Sequence, residues 1–70
     1  MIEVKYKETD SKIIVHGLSY NMACDWLRDN GHYVTHTSNT KDYVIFWWGN
    51  WKIGRYHEGY GRLEVWKQYQ

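Results

Sequence analysis

The fold is decided by residues 42–67, which read DYVIFWWGNWKIGRYHEGYGRLEVWK. Three runs rich in β-branched and aromatic residues are separated there by two glycine-containing turns, a pattern typical of consecutive antiparallel strands. Gly49-Asn50 predicts a two-residue hairpin, because glycine readily supplies the positive φ of such turns. The hairpin pairs Trp48 with Trp51. We therefore expect strands over 42–48, 51–57 and 61–67.

The two turns also predict the register of the three strands. Counting back from Gly49-Asn50 pairs Phe46 with Ile53, and Val44 with Arg55. The second turn, over residues 58–61, pairs Arg55 with Glu64. Opposite charges then meet across neighbouring strands, which favours this register.

A second hairpin is predicted at the N-terminus. Residues 2–7 alternate between apolar and charged side chains, which indicates a half-buried strand, and residues 12–16 form its partner. A turn over 8–11 sets Tyr6 opposite Ile13. It also sets Val4 opposite Val15 and Glu3 opposite His16.

A helix separates this hairpin from the later strands. Ser19 is expected to cap its N-terminus, and Asn30-Gly31 is expected to end it, with Gly31 in the left-handed conformation. Another strand is expected over 32–37. The residues of the helix that form one apolar stripe are Met22, Ala23, Trp26 and Leu27.

These elements predict the order β-β-α-β-β-β-β within one domain over residues 1–70. The expected class is α+β, with a curled antiparallel sheet or a small open barrel and one helix packed on it. Where the N-terminal hairpin lies relative to the other strands stays open.

The composition of the chain restricts the classes of function and the cellular setting that it fits. The 70 residues carry a formal charge of +1, which disfavours a binder driven by phosphate contacts. Cys24 is the single cysteine, so no disulfide forms within the chain, which favours a reducing, cytoplasmic setting. No apolar run approaches the ~20 residues of a membrane span.

Two features that resemble reactive sites have simpler explanations. His32 and His36 are four residues apart, but on a strand this spacing is about 13 Å and cannot close around a metal ion. Gly59-Tyr60-Gly61 precedes a strand, so it does not form a phosphate loop at a helix N-terminus. We therefore expect no metal, no cofactor and no enzymatic activity.

The aromatic content points to a binding surface. The chain has seven Tyr, five Trp and one Phe, more than a small core can shelter. Alternation along the strands groups several of them on one face of the sheet, and this face is the predicted partner-binding surface. Its predicted binding residues are Tyr33, Phe46, Trp48, Trp51, Arg55, Arg62 and Trp66.

Two alternatives to this surface stay open. The tryptophans of that face could instead form the core of a strongly curled sheet. The helix is expected on the opposite face, whose centre is aliphatic. If it covers the tryptophan face instead, Tyr43, Trp47 and Tyr56 become the exposed patch.

Three hypotheses for the function follow. The leading one is a protein-binding module, an inhibitor or adaptor of the kind that phages use against a larger host protein. The second is binding of single-stranded nucleic acid or nucleotides, with bases stacked on the sheet. The third is a homodimer that buries the aromatic face, and it is compatible with either function.

Overall fold

The structure of the chain is a computed structural model that describes residues 5–68. Six antiparallel strands form one open sheet, and one helix packs on it, which confirms the predicted fold class. The elements are β1 (Lys5–Glu8), β2 (Lys12–His16), α1 (Tyr20–Asp29), β3 (His36–Asn39), β4 (Val44–Trp48), β5 (Trp51–His57) and β6 (Arg62–Trp66). Their order across the sheet is β1-β2-β6-β5-β4-β3.

The N-terminal hairpin extends the sheet and does not fold over it, because β2 pairs with β6. Its predicted register is wrong by two residues, since Tyr6 lies opposite Val15 and not Ile13. The cause is the turn: the Thr9 amide donates to the Lys12 carbonyl at 2.8 Å, so the loop between the paired residues is shorter than predicted and consists of residues 10 and 11. A shift of two residues keeps each side chain on its face. The pairs predicted for residues 3 and 4 lie outside the described residues.

Helix α1 begins and ends at the predicted residues. The Ser19 side chain accepts a hydrogen bond from the Met22 amide at 3.3 Å. At the other end Gly31 has φ +83°, and the His32 amide donates to the Leu27 carbonyl at 2.8 Å. This arrangement satisfies the last carbonyls of the helix. Because the chain closes the helix end in this way, the next strand begins at His36 and not at residue 32.

Helix α1 is the only helix between residues 5 and 68, and it is too short and too polar to cross a membrane.

The core lies between α1 and one face of the sheet, which we call the helix-covered face. From the helix stripe, Ala23 and Leu27 are fully buried, Trp26 is partly buried, and Met22 is exposed. The buried residues of the core are Val15, Leu18, Ala23, Leu27, Phe46, Ile53, Tyr56, Leu63 and Val65. At roughly 25 cal/mol per Å² of apolar surface, this burial is the main stabilising contribution.

A β-bulge between β4 and β5 decides which side chains face the helix. Phe46 lies opposite Gly54, whereas Trp47 lies opposite Lys52, so Ile53 is an extra residue in β5. The predicted pairs of Phe46 with Ile53 and of Val44 with Arg55 are therefore wrong. Both Ile53 and Gly54 are buried although they are consecutive. A bulge places two residues opposite one and interrupts the alternation in just this way.

Candidate partner-binding surfaces

The seven predicted binding residues do not share a face, because the bulge divides them. Phe46 is fully buried beneath α1 and offers a partner no surface. Trp48 and Trp51 lie opposite each other at the end of the β4–β5 hairpin, on the helix-covered side. The three residues that lie on the opposite side of the sheet are Arg55, Arg62 and Trp66.

The first candidate surface is the hairpin-tip cluster, which we define as Tyr33, Trp48 and Trp51. Tyr33 is 65% exposed and Trp51 is 58% exposed, while Trp48 is 37% exposed. The rings of Tyr33 and Trp48 meet edge to face with centroids 6.1 Å apart. Three large rings therefore form one patch on the surface.

Thr35 fixes the segment that carries Tyr33 against the hairpin. Its hydroxyl donates to the Trp47 carbonyl at 3.1 Å and accepts from the Gly49 amide at 2.8 Å. Its own amide donates to the same Trp47 carbonyl at 2.8 Å. Gly49 has φ +62° and Asn50 has no positive φ, the signs of a type II′ turn. The cluster is thus held by hydrogen bonds at both of its segments.

The second candidate surface is the face of the sheet that α1 does not cover, which we call the open face. Residues that lie opposite each other in register point to the same side of a sheet. The register places the following residues on the open face: Lys5, Lys7, Lys12, Ile14, His16, His36, Ser38, Ile45, Trp47, Lys52, Arg55, His57, Arg62, Glu64 and Trp66.

Glu64 lies at the centre of the open face and is only 4% exposed. Its Oε2 lies 3.0 Å from Arg55 Nε and 3.5 Å from Lys12 Nζ. Its Oε1 lies 3.3 Å from Arg62 Nε and 3.5 Å from His57 Nε2. Neither of the last two nitrogens has a hydrogen-bond partner in good geometry among the described residues. One buried carboxylate thus holds four basic side chains together.

The pKa values in this network shift in directions that keep Glu64 charged and His57 neutral. Burial by itself raises the pKa of Glu64, but the hydrogen bond from Arg55 and the charges of Arg55, Lys12 and Arg62 outweigh it and lower the pKa. Burial lowers the pKa of His57, and the positive charge of Arg62 lowers it further. The network at neutral pH therefore contains three cations and one anion.

The aromatic rings of the open face are already in contact with cations. The Arg55 guanidinium lies 5.2 Å from the Tyr43 ring centroid and 5.8 Å from that of Trp66. The Lys52 ammonium lies 5.8 Å from the Trp47 ring, on which His36 also stacks at 5.8 Å. Such contacts stabilise both partners and cover part of each ring.

The two sides of the sheet differ strongly in charge. Six of the nine Lys and Arg residues lie on the open face, and Glu64 is the only described acidic residue there. The net charge of +1 conceals this separation, which the total composition could not reveal. The other described acidic residues lie on α1, in turns or on the helix-covered side: Glu8, Asp10, Asp25, Asp29, Asp42 and Glu58.

Residues with the potential for other chemistry are dispersed. His32 stacks on Trp26 at 6.2 Å, and His36 stacks on Trp47, so the two histidines belong to different contacts. Residues 5–68 contain no group of three or more potential metal ligands. A groove of about 600 Å³ lies between the start of α1 and the β5–β6 turn, lined mainly by apolar groups such as Leu18 and Met22. Its size and apolar lining would suit an apolar side chain or small apolar ligand.

Comparisons of the chain with protein-family models, with curated proteins and with solved structures found no match.

Proposed function

We propose that the chain is a non-enzymatic protein-binding module whose contact surface includes the hairpin-tip cluster. The observation that carries the proposal is the joint exposure of Tyr33, Trp48 and Trp51 at one end of the sheet. Large aromatic side chains are enriched among the residues that contribute most to protein–protein binding. Exposed clusters of them are uncommon on surfaces that contact only water.

The way in which the cluster is held supports the same proposal. Thr35 and the turn at Gly49 restrain both segments that carry the rings. Rings held in place before binding lose less conformational entropy when a partner covers them. This smaller entropy loss matters most for a small inhibitor or adaptor, because few of its residues contact the partner and each contact must contribute more affinity.

We place the function in the cytoplasm, on a larger protein. The thiol of Cys24 is free and partly buried against the core, which suits a reducing compartment. A domain of 70 residues can cover one surface of a larger protein without bringing chemistry of its own. Phage-type accessory proteins that act on host proteins are often small domains of this kind. We propose that this chain likewise acts by covering a surface of a larger host protein.

A partner-binding assay with matched variants tests the proposal. The partner is first captured on the immobilised chain and identified, and the complex is then rebuilt from purified components. Trp51→Ala should weaken binding at least about tenfold, as expected for a hot-spot aromatic residue. Tyr6→Ala is the control, since Tyr6 is 57% exposed, almost as much as Trp51, but lies on β1 at the other edge of the sheet.

The control should bind within about twofold of the wild type, because an isolated exposed ring outside an interface contributes little. Equal affinities for wild type, Trp51→Ala and Tyr33→Ala, all folded, would remove the hairpin-tip cluster from the interface.

A second candidate function, binding of single-stranded nucleic acid, is favoured by the cations of the open face. Against it, the aromatic residues predicted to bind a partner do not form one stacking platform for bases. Phe46 is buried, and Trp66 is covered by Arg55. Titration of a fluorescent oligo(dT) strand at low and at moderate salt separates the two functions. Affinity that falls steeply with salt would support nucleic-acid binding, whereas absence of binding at low salt would exclude it for this strand.

A further inference from the structure

We propose that the open face docks an acidic segment of the partner protein, one whose Asp and Glu carboxylates meet the cations around Glu64. This inference rests on the proposed protein-binding function and adds the chemistry of the partner. It uses the side of the sheet opposite to α1, and so it concerns a surface distinct from the hairpin-tip cluster.

The open face already binds one carboxylate, that of Glu64, through arginine side chains. Glu64 accepts from Arg55 Nε at 3.0 Å, and its other oxygen lies 3.3 Å from Arg62 Nε. A guanidinium carries five N–H donors in a planar fork, so one contact through Nε leaves most of its donors for other acceptors. Among the described residues, Glu64 is the only ion-pair partner of either arginine.

The network contains more positive than negative charge. Lys12, Arg55 and Arg62 surround one carboxylate, and each of these three side chains remains 32% exposed. The excess positive charge is therefore accessible from solvent. A second carboxylate that approached from outside would meet it at a distance where partial burial strengthens the attraction.

The patch continues across the sheet beyond this network. Lys7 lies opposite Ile14, which in turn lies opposite Glu64, so Lys7 follows the same row of the open face. Lys5 lies opposite His16 on the same side, and both lysines are exposed. An extended segment with several carboxylates fits this row better than a single small anion.

Carboxylates fit the open face better than nucleic acid does. Single-stranded binders combine cations with free ring faces on which bases stack. On the open face Arg55 lies over both Tyr43 and Trp66, and Trp47 lies between Lys52 and His36. The surface therefore presents positive charge with little free ring area, which suits an acidic protein segment.

A short fluorescein-labelled peptide of alternating Asp and Gly is the probe, and fluorescence anisotropy gives its affinity for the intact chain at low and physiological salt. Lys5→Gln combined with Lys7→Gln should weaken binding about fivefold, as expected for the loss of two exposed ion pairs. These lysines do not contact Glu64, so the variant leaves the central network in place.

The matched control combines Arg28→Gln with Lys67→Gln, which removes the same charge away from the open face. Arg28 is on α1 beside Asp25, and Lys67 pairs with Glu8 on the helix-covered side. This control should bind the peptide within about twofold of the wild type, because distant exposed charges are screened by salt.

The outcomes separate the inference from the function on which it rests. No peptide binding by the wild type at low salt, or equal losses in both double variants, overturns the acidic partner while the effect of Trp51→Ala on the protein complex still stands. A duplex or single-stranded oligonucleotide that binds more tightly than the peptide, and loses affinity in Lys5→Gln/Lys7→Gln, overturns it in favour of nucleic acid.

Discussion

The helix-covered face and the open face are built from the same strands but are stabilised in different ways. On the helix-covered face, Phe46, Leu63 and Val65 pack against α1 and exclude water. On the open face, one carboxylate, Glu64, is enclosed by four basic side chains. The first face depends on shape and apolar area, and the second depends on the balance of charge.

This difference shows how one helix is enough for a six-stranded sheet. The long side chains of Arg55, Arg62 and Lys12 gather around Glu64 on the open face. Side chains of this kind cover apolar surface with their aliphatic stems while their charged ends stay in water. A charged layer keeps the sheet from exposing a large apolar surface. The same layer leaves charge available for a partner, which an apolar core cannot do.

The largest effect that separates the two faces is expected from Phe46→Ala. Removal of the fully buried ring leaves a cavity under α1 and should cost about 3–5 kcal/mol in the free energy of unfolding. Urea denaturation followed by circular dichroism measures this cost. Tyr6→Ala is the control and should cost about 0.5 kcal/mol. A similar small loss for Phe46→Ala would show that Phe46 does not lie in the core.

A smaller effect is expected from Glu64→Gln, which breaks the network of the open face. Loss of one partner of a fully buried ion pair costs roughly 3–5 kcal/mol, and the exposure of about a third of each cation should reduce this to about 2 kcal/mol.

The matched control is Asp25→Asn, which breaks an exposed pair with Arg28 and should cost about 0.5 kcal/mol or less. Equal costs for the two variants would mean that Glu64 is not held in a buried network.

The smallest effect is the dependence of stability on pH. The pKa of His57 is lowered by burial and by Arg62 and Arg55, although Glu64 and Asp42 oppose this. The folded state therefore binds fewer protons than the unfolded state, so stability should fall as the pH drops below the ordinary value of 6.5. The pKa of Glu64 is also lowered, so a further fall should begin below 4.5.

Urea midpoints measured across this pH range reveal the two steps. Burial lowers the pKa of His32 as well, so His57→Gln should remove part of the first step and His32→Gln another part. The Glu64→Gln variant should lack its share of the second step. A wild-type midpoint that stays constant between neutral pH and pH 5 contradicts the proposed state of His57.

Local signals in the sequence predicted the order of the elements, although the strand expected over 32–37 begins at His36 and the first hairpin is shifted by two residues. Ser19 and Gly31 define the ends of the helix, and the Gly49-Asn50 turn fixes the pairing of Trp48 with Trp51. Charge also gave the pairing of Arg55 with Glu64 correctly. These interactions form within one element or one hairpin, where the chain itself sets the geometry.

The faces could not be assigned in the same way, because the bulge at Ile53 arises from packing between strands. Gly54 was the available signal, since glycine inside a strand often marks a bulge or a close approach of backbones. A Cβ at residue 54 would lie 2.5 Å from the Glu64 carbonyl oxygen. The network around Glu64 depends on the register of three strands, so it becomes visible only in the folded chain.

The most direct measurement for the central claim is light scattering after size exclusion, combined with the tryptophan fluorescence of wild type and Trp51→Phe. A surface available to a partner predicts a monomer with a red-shifted component that acrylamide quenches and that Trp51→Phe reduces. A dimer with blue-shifted emission that acrylamide and Trp51→Phe leave unchanged would contradict it, because the aromatic rings would then be buried between two copies of the chain.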